Sequence, residues 1–247
     1  MISNSSLDAW KAYINCEFHS RSEAERKSER EAAQPFVTIS RQAGAGGITV
    51  GEKLITFLRE HDKHAFCPWT LFDPNLIATV LGEHNLPQEF AKFMPEDKVS
   101  ETQDMMEELF GLHPSAWTLA HKTSHTILLL AQMGNVVLVG RGANVVTKKF
   151  LLKGFHVRLI GSPKRRVQHI QDYYSLTHNE AIEFIGKEDG GRKRYLKQNF
   201  DQDINDSLLY DLTINTDFIS YDDTAELIGG EVLRIQRHIL TAASTVK

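Results

Sequence analysis

Residues 36–51 read Phe36-Val37-Thr38-Ile39-Ser40-Arg41-Gln42-Ala43-Gly44-Ala45-Gly46-Gly47-Ile48-Thr49-Val50-Gly51. The segment begins as an apolar, β-branched run, passes through a glycine-rich turn and continues with helical spacing. A strand, a loop of small residues and a helix can bind phosphate, because glycines let successive backbone N–H groups point at one anion. The dipole at the helix N-terminus favours negative charge there. The segment therefore predicts a nucleotide or other phosphate site; the alternative is a tight turn whose glycines serve only sheet packing.

The loop departs from both phosphate-binding templates. Thr49 stands where the dinucleotide fingerprint has its third glycine. In the phosphate loop G-x-x-x-x-G-K-[ST], Gly46 fits the second glycine. Arg41, Gly47 and Ile48 stand at the positions of the first glycine, the lysine and the hydroxyl residue. Backbone N–H groups can still bind phosphate, but the positive charge that the lysine brings to the transferring phosphate is missing.

The composition excludes several classes of protein. The chain has 247 residues and a net charge of −4, so it is long enough for one sizeable domain, and we expect no nucleic-acid partner. We expect no membrane partner, because no apolar run approaches the roughly 20 residues of a span and the N-terminus lacks a signal-peptide pattern. Cys16 and Cys67 lie far apart without a CxxC pair. That spacing argues against a disulfide framework and a cysteine zinc site, and favours a cytoplasmic location.

Strands alternate with helices along the chain. We predict strands at 36–39, 65–67, 136–139, 155–160 and 212–214. We predict helices at 7–33, 47–61, from Pro74 onward, 86–112, 113–134, from Pro163 onward, 178–198 and 222–240, with Ser6, Asp73 and Ser162 as N-caps. This order predicts an α/β fold with a mainly parallel sheet and helices on both faces. Ligands bind such sheets at the carboxyl ends of the strands, where the glycine loop, Arg141 and the Ser162 turn lie.

Residues 1–34 form a predicted helical arm. Its first part has helical apolar spacing and its second part is rich in Glu, Arg, Lys and Ala. The arm is either a solvated or partly disordered segment or a docking contact through Trp10 and Phe18, which would allow a homo-oligomer.

Five segments together resemble the cytidylate kinase-like family, a divergent branch of the P-loop nucleoside monophosphate kinases. They occur in family order and are Thr38-Ile39-Ser40-Arg41 with the following glycines, Phe72-Asp73-Pro74-Asn75-Leu76-Ile77, Val139-Gly140-Arg141-Gly142-Ala143-Asn144, Asp189-Gly190-Gly191-Arg192-Lys193-Arg194-Tyr195 and Leu209-Tyr210-Asp211-Leu212-Thr213-Ile214-Asn215-Thr216. The resemblance implies a P-loop NTPase-like domain at 35–247, with a helical insertion at about 74–134 and a basic lid at about 162–200. It also implies transfer of the ATP γ-phosphoryl group to a small-molecule nucleotide, a nucleoside monophosphate such as CMP or dCMP, with Mg²⁺.

The resemblance also implies roles for individual residues. Arg41, Gly44, Ala45, Gly46, Gly47, Ile48 and Thr49 would bind the donor phosphates, and Thr49 would reach the metal. Arg141 would bind the acceptor phosphate bidentately, and Asp73 would contact the acceptor sugar or base. Arg192 and Arg194 would belong to a mobile lid that closes on the transferring group and excludes water.

Three departures from the family pattern leave alternatives open. Gly47 replaces the loop lysine, Val139 replaces a carboxylate, and Gly142 replaces an aspartate. Because phosphoryl transfer depends on positioning and charge stabilisation, these changes also fit a non-catalytic nucleotide-binding or regulatory protein. A kinase for another small acceptor is a third possibility. An arginine such as Arg41 or Arg192 could supply the missing charge.

Other polar clusters have two interpretations each. His121 and His125 are a possible metal pair or an ordinary helix face. Arg141 could instead pair with a carboxylate in the fold, and the Lys164-Arg165-Arg166 run could mark an anionic ligand or a solvated turn. The basic residues beside Gly190-Gly191 also fit a solvated turn, and the methionines at 94–106 fit core packing.

Overall fold

The structure is a computed structural model that describes residues 4–19, 34–77, 106, 119–149, 151 and 153–245. The described strands are β1 (Phe36–Arg41), β2 (Thr70–Phe72), β3 (Val136–Val139), β4 (Gly154–Ile160) and β5 (Leu212–Asn215). The described helices are α1 (Asn4–His19), α2 (Gly47–His61), α3 (Leu119–Met133), α4 (Ala143–Lys148), α5 (Pro163–Tyr174), α6 (His178–Phe200) and α7 (Tyr221–Thr245), with a 3₁₀ turn at Ser207–Leu209.

The five strands form one parallel sheet in the order β2-β3-β1-β4-β5. Alternate side chains of the central strands face opposite layers. Phe36 and Leu138 face α1, α3 and α4, whereas Val37 and Val139 face α2 and α7. The predicted α/β fold with helices on both faces is confirmed, and β1, at the centre of the sheet, carries the glycine loop at its carboxyl end.

Helix α2 has the predicted bounds, because its buried Val50, Leu54 and Leu58 repeat with helical period. Asp73 also caps a helix as predicted, since its Oδ1 accepts the N–H groups of Asn75 and Leu76 at 2.8 and 2.7 Å.

The second strand was predicted wrongly at 65–67. The observed strand, Thr70–Phe72, follows Pro68, and the backbone N–H of Thr70 donates to the carbonyl of Asn135 at the start of its pairing with β3. A proline has no N–H for such a ladder, so the strand begins after it.

The predicted Ser6 cap is wrong, and so is the alternative of a solvated turn at Gly190-Gly191, whereas the predicted helix over 178–198 is confirmed. Helix α1 begins at Asn4, before Ser6, and the glycine pair lies inside α6. A capping box at Thr177 and Glu180 starts α6, so the segment predicted as a basic lid contains a hairpin of two helices (α5 and α6).

Helix α1, the described helix of the arm, packs on the chain's own core. Trp10 is 5% exposed and its ring lies 5.7 Å from that of Phe72, while the hydroxyl of Tyr13 donates to the carbonyl of Gly134 at 2.7 Å. The expectation of a solvated arm is therefore wrong for α1, and Trp10 is not available to a second copy of the chain. Phe18 and residues 20–33 lie outside the part whose side chains the structure describes.

The structure also corrects the interpretation of the cysteines. Cys16 on α1 and Cys67 before β2 form a disulfide, with Cα atoms 5.8 Å apart despite a sequence separation of 51. The packing of α1 beside β2 brings the two cysteines together, and their spacing in the sequence does not predict this contact. The argument for a reducing compartment loses its basis, and a cytoplasmic location stays a prediction.

The predicted insertion falls mostly outside the described residues. Within it Met106 is described and is buried in the core, in agreement with the packing interpretation of the methionines. Across the described ranges, none of the helices has the length and apolar character needed to cross a membrane.

Candidate active site

The loop between β1 and α2 takes its shape from two glycines with positive φ, Gly44 at 80° and Gly46 at 79°. A Cβ on Gly44 would lie 2.5 Å from the backbone oxygen of Arg166, so only glycine fits there. Helix α2 starts at Gly47, and its N-cap, Gly46, offers no side chain to the first-turn N–H groups. These N–H groups have no side-chain cap, and uncapped helix N-termini favour negative charge, so the loop is compatible with the phosphate site that the sequence predicts, which stays a prediction.

Arg41 closes β1 and extends beside this loop. Burial and the neighbouring Arg192, Arg141 and Arg158 lower its pKa to about 9, against the opposing effect of Glu188. Arg41 therefore remains a cation at neutral pH, in surroundings that are mainly positive.

A second turn with positive φ follows β3, where Gly140, Arg141 and Gly142 have φ values of 82°, 54° and 72°. A non-glycine residue in this conformation is strained, and such strain concentrates at functional sites. Arg141 is exposed, and among the described residues it has no hydrogen bond or ion pair. The alternative that Arg141 pairs with a carboxylate finds no such partner among the described residues.

The arginines of the α5–α6 hairpin are in a different state. Arg192 pairs with Glu188 at 2.9 Å and with Asp189 at 3.4 Å. Arg166 pairs with the other oxygen of Asp189 at 2.6 Å and donates to the carbonyl of Ala43 at 3.1 Å. The basic run at 164–166 therefore contributes Arg166 to a structural pair; Arg165 is exposed and lies outside the cleft described below.

Asp189 joins the hairpin to the loop. Its Oδ1 accepts the backbone N–H of Ala43 at 2.7 Å, so a carboxylate already binds one amide at the start of the loop. The sequence motif contains Asp189, but the sequence analysis gave it no role.

Tyr195 is a further residue that the sequence analysis missed. Its hydroxyl is buried, has no hydrogen-bond partner among the described residues and lies on a side chain that lines the cleft with Arg141. Burial raises the pKa of Tyr195, so the hydroxyl keeps its proton and can donate it to an anion. Its place at the end of the motif 189–195 was the available signal.

These elements enclose a cleft of about 620 Å³ at the carboxyl ends of β1 and β3, within the size range of small-ligand sites. It is lined by most of the predicted site residues, namely Arg41, Gly44, Gly46, Gly47, Ile48, Thr49, Asp73, Arg141, Arg192 and Arg194. Ala45 is the exception, because its side chain is fully buried beneath the loop. The hairpin adds aromatic rings that the sequence analysis did not predict: His169, Tyr173, Tyr174 and Phe184.

Thr49 is the candidate metal contact. It lies in the first turn of α2 and lines the cleft. In the described part of the chain no three His, Cys, Asp or Glu side chains form a group that could hold a metal ion. His121 and His125 therefore have no third ligand of these types among the described residues. Mg²⁺ that arrives with a nucleotide keeps phosphate oxygens and waters as ligands, so a single hydroxyl fits its requirements.

Comparison with known proteins supports a family assignment. The sequence profile of the cytidylate kinase-like family matches residues 36–218. The fold is similar to the crystal structure of an uncharacterized protein from Eubacterium ventriosum, with a TM-score of 0.55 and 18% sequence identity, over 81% of this chain and 98% of that one. No curated protein matches the sequence.

Proposed function

This chain belongs to the cytidylate kinase-like family, and from that premise we propose that it transfers the γ-phosphoryl group of ATP to a nucleoside monophosphate, with CMP or dCMP as the expected acceptor. One observation carries the proposal. The uncapped loop before α2 lines the same cleft as Arg141, which has no ion pair with a described residue, so donor and acceptor phosphates would have separate N–H and cationic partners there.

The donor triphosphate fits the loop side of the cleft. Backbone N–H groups from Gly44 to Thr49 would bind its oxygens, except that of Ala45, which donates to the carbonyl of Gln42 at 3.2 Å. The aromatic rings of Tyr173 and Tyr174 offer apolar surface to a base. Mg²⁺ bound with the nucleotide would neutralise charge on the phosphates, with the Thr49 hydroxyl beside it.

The acceptor fits the side formed by the turn after β3. Arg141 would bind the acceptor phosphate with two parallel hydrogen bonds, and the Tyr195 hydroxyl would donate a third. Asp73 uses Oδ1 to cap its helix, which leaves Oδ2 for the acceptor sugar or base.

The reaction is an in-line displacement. An oxygen of the acceptor phosphate forms a bond to the γ-phosphorus while the bond from that phosphorus to the β–γ bridging oxygen breaks, and ADP leaves with the electron pair. Residues of this chain would orient the two phosphates, spread the developing charge and exclude water. Arg194, exposed at the cleft, and Arg192, once released from its carboxylates, are the hairpin groups that would contact the transferring phosphoryl group.

A non-catalytic nucleotide-binding protein is the second candidate function. It is favoured by Val139, a buried apolar residue where catalytic members of the branch have a carboxylate, and by the pairing of Arg192 within the hairpin. A kinase for another small acceptor would use the same donor site, and only the part of the cleft that binds the rest of the acceptor, next to Arg141, would have a different ligand.

The deciding experiment measures ADP formation from ATP and Mg²⁺ against a panel of nucleoside monophosphates. We expect turnover with CMP or dCMP, and a loss of at least about tenfold in Arg141→Ala, because a charge-assisted phosphate contact disappears. Arg237→Ala, an exposed arginine on α7, is the matched control and should behave as wild type. Absence of turnover combined with thermal stabilisation by ATP would favour the binding protein. Absence of both would refute the nucleotide site.

A further inference from the structure

The loop lacks the lysine of the phosphate-loop pattern, yet the side chain of an arginine, Arg41, lies beside the position of that lysine. Arg41 is the last residue of β1, and Gly47 is the first residue of α2 and occupies the lysine position. The two residues are on opposite ends of the loop, six positions apart in the sequence.

The side chain of Arg41 passes directly over Gly47. A Cβ placed on Gly47 would lie 2.7 Å from Cγ of Arg41 and 3.1 Å from its Cδ. Contacts this short involve the stem of the arginine and not its flexible end. Any side chain at position 47, lysine included, would therefore force Arg41 out of its present course.

The guanidinium group then reaches the end of β3. A Cβ on Gly140 would lie 3.1 Å from Cζ of Arg41 and would clash with Nη1. Gly140 has a φ of 82°, so its backbone conformation also favours glycine. Two glycines thus leave a channel for this one arginine between the carboxyl ends of neighbouring strands.

The charge of Arg41 has no ion-pair partner among the residues that the structure describes. Its guanidinium makes no hydrogen bond or ion pair with the residues that the structure describes, although Glu188 is close enough to affect its pKa. Glu188 pairs instead with Arg192. A half-buried cation among other cations costs free energy unless an anion completes the site.

We propose that Arg41 is the cation of this phosphate loop, placed on the β- and γ-phosphates of a nucleoside triphosphate in the role that lysine has in the template. The exchange has two coupled parts: an arginine replaces the first glycine, and a glycine replaces the lysine so that the arginine can cross the loop. A guanidinium binds phosphate oxygens as a planar fork, whereas lysine acts as a point charge. The identity of the ligand rests on the proposed function, but the role of Arg41 as an anion-binding group does not.

The first test measures binding of inorganic tripolyphosphate by calorimetry to the wild type, Arg41→Ala, Arg41→Lys and the exposed neighbouring control Arg165→Ala. We expect Arg41→Ala to weaken binding by about 10- to 100-fold, Arg41→Lys to retain part of the affinity, and Arg165→Ala to stay within about twofold of wild type. Equal affinity in the wild type and Arg41→Ala would overturn the proposal.

The second test uses Gly47, and it keeps the proposal testable if Arg41→Ala fails to fold. Gly47→Ala should weaken tripolyphosphate binding about tenfold in the wild type and have little effect in an Arg41→Ala background, because the only affected group is then gone. The exchange Arg41→Gly with Gly47→Lys should recover most of the affinity that Arg41→Gly loses. Equal losses from Gly47→Ala in both backgrounds, or no recovery in the exchange, would contradict the proposal.

Failure of the proposed kinase function gives a different result. If Arg41 controls tripolyphosphate affinity but no monophosphate is phosphorylated, Arg41 is the loop cation of a protein that is not a nucleotide kinase. If wild type turns over ATP while Arg41→Ala keeps full tripolyphosphate affinity, the kinase function stands and the assignment of Arg41 falls. If wild type does not bind tripolyphosphate, both proposals fall.

Discussion

The loop after β1 and the α5–α6 hairpin both place arginines at the cleft, but in opposite electrostatic states. On the sheet side, Arg41 and Arg141 have no ion pair with any described residue. On the hairpin side, Arg166 and Arg192 are held by Asp189 and Glu188. The same residue type therefore serves two purposes within one site.

This difference suggests separate roles, phosphate binding for Arg41 and Arg141 and positioning of the hairpin for Arg166 and Arg192. A phosphate bound as proposed would contact Arg41 and Arg141 without displacing a described carboxylate, whereas it would have to displace one to reach Arg192. Asp189 links the two regions, because it pairs with Arg166 and also accepts the N–H of Ala43 in the loop.

The largest effect should come from the backbone of the loop. In Gly44→Ala, a Cβ at a φ of 80° would lie 2.5 Å from the backbone oxygen of Arg166, so loop or hairpin has to move. We expect ATP affinity, measured by calorimetry, to fall by roughly 100-fold, since strain of about 1–3 kcal/mol is added at the binding loop.

The matched control is Gly186→Ala, in the middle of α6 with no atom within 4 Å of the added Cβ. It should leave ATP affinity unchanged and raise the free energy of unfolding by up to about 1 kcal/mol, because alanine is the better helix former. An unchanged ATP affinity in Gly44→Ala would show that the loop backbone does not bind the donor.

The link between the two regions is the next point to break. Asp189→Asn removes the charge that neutralises Arg166, whose side chain is only 11% exposed. We expect the free energy of unfolding in urea to fall by about 1–3 kcal/mol, less than for a fully buried pair because Asp189 is 29% exposed. Asp222→Asn, which breaks the exposed pair with Lys53, is the control and should change stability little. Equal free energies of unfolding in both variants would mean that the Arg166–Asp189 pair does not stabilise the α5–α6 hairpin.

The sequence predicted the scaffold of this site well and its charge pairing poorly. The bounds of α2 and the parallel sheet follow from local periodicity, which each segment carries by itself. The pairing of Arg166 with Asp189 depends on the hairpin that brings α5 against α6, and no local pattern encodes it. The basic clusters at 164–166 and 192–194 look alike in sequence, yet only the fold distinguishes the paired arginines from exposed Arg194.

The errors have a similar cause. The strand at 65–67 was placed on an apolar run, but those residues lie where α1 packs and Cys67 forms its disulfide with Cys16. Contacts from an element about 50 residues earlier in the chain overrode the local preference. The contact of the Arg41 side chain with Gly47 could not be predicted from the sequence either. The sequence showed only that both positions depart from the phosphate-loop pattern.

Salt should separate the two classes of arginine. Because exposed and half-buried charges are screened, raising NaCl from 0.05 to 0.5 M should weaken tripolyphosphate binding to wild type by about tenfold. Arg41→Ala should flatten this dependence, since an unpaired cation is lost. Arg192→Ala combined with Glu188→Gln should leave it nearly unchanged, since removing both members of an ion pair does not alter the local net charge. Titrations at four salt concentrations measure the slopes, and equal slopes in the two variants would remove the distinction between paired and unpaired arginines.

The smallest effect concerns pH and lies in the sheet, outside both regions. His156 on β4 is buried, its Nδ1 lies 2.9 Å from Oγ1 of Thr38, and burial lowers its pKa to about 4 despite the nearby Asp211. The unfolded chain takes up this proton near pH 6.5, well before the folded chain does. The titration of His156 therefore does not reduce the free energy of unfolding above pH 6.5, and it reduces it progressively as the pH drops from 6.5 towards 4.

Between pH 7 and pH 5.5, the free energy of unfolding should decrease by about 1 kcal/mol through His156 alone. His156→Gln keeps a hydrogen-bonding partner for Thr38 without the titration, so its decrease over the same range should be smaller by that amount. If the variant folds poorly, the chemical shift of the His156 ring in wild type measures the same property and should show a neutral imidazole down to pH 5. A ring that protonates near pH 6.5 would mean that the acid sensitivity comes from the cleft, and the separation between the sheet and the charged site would fail.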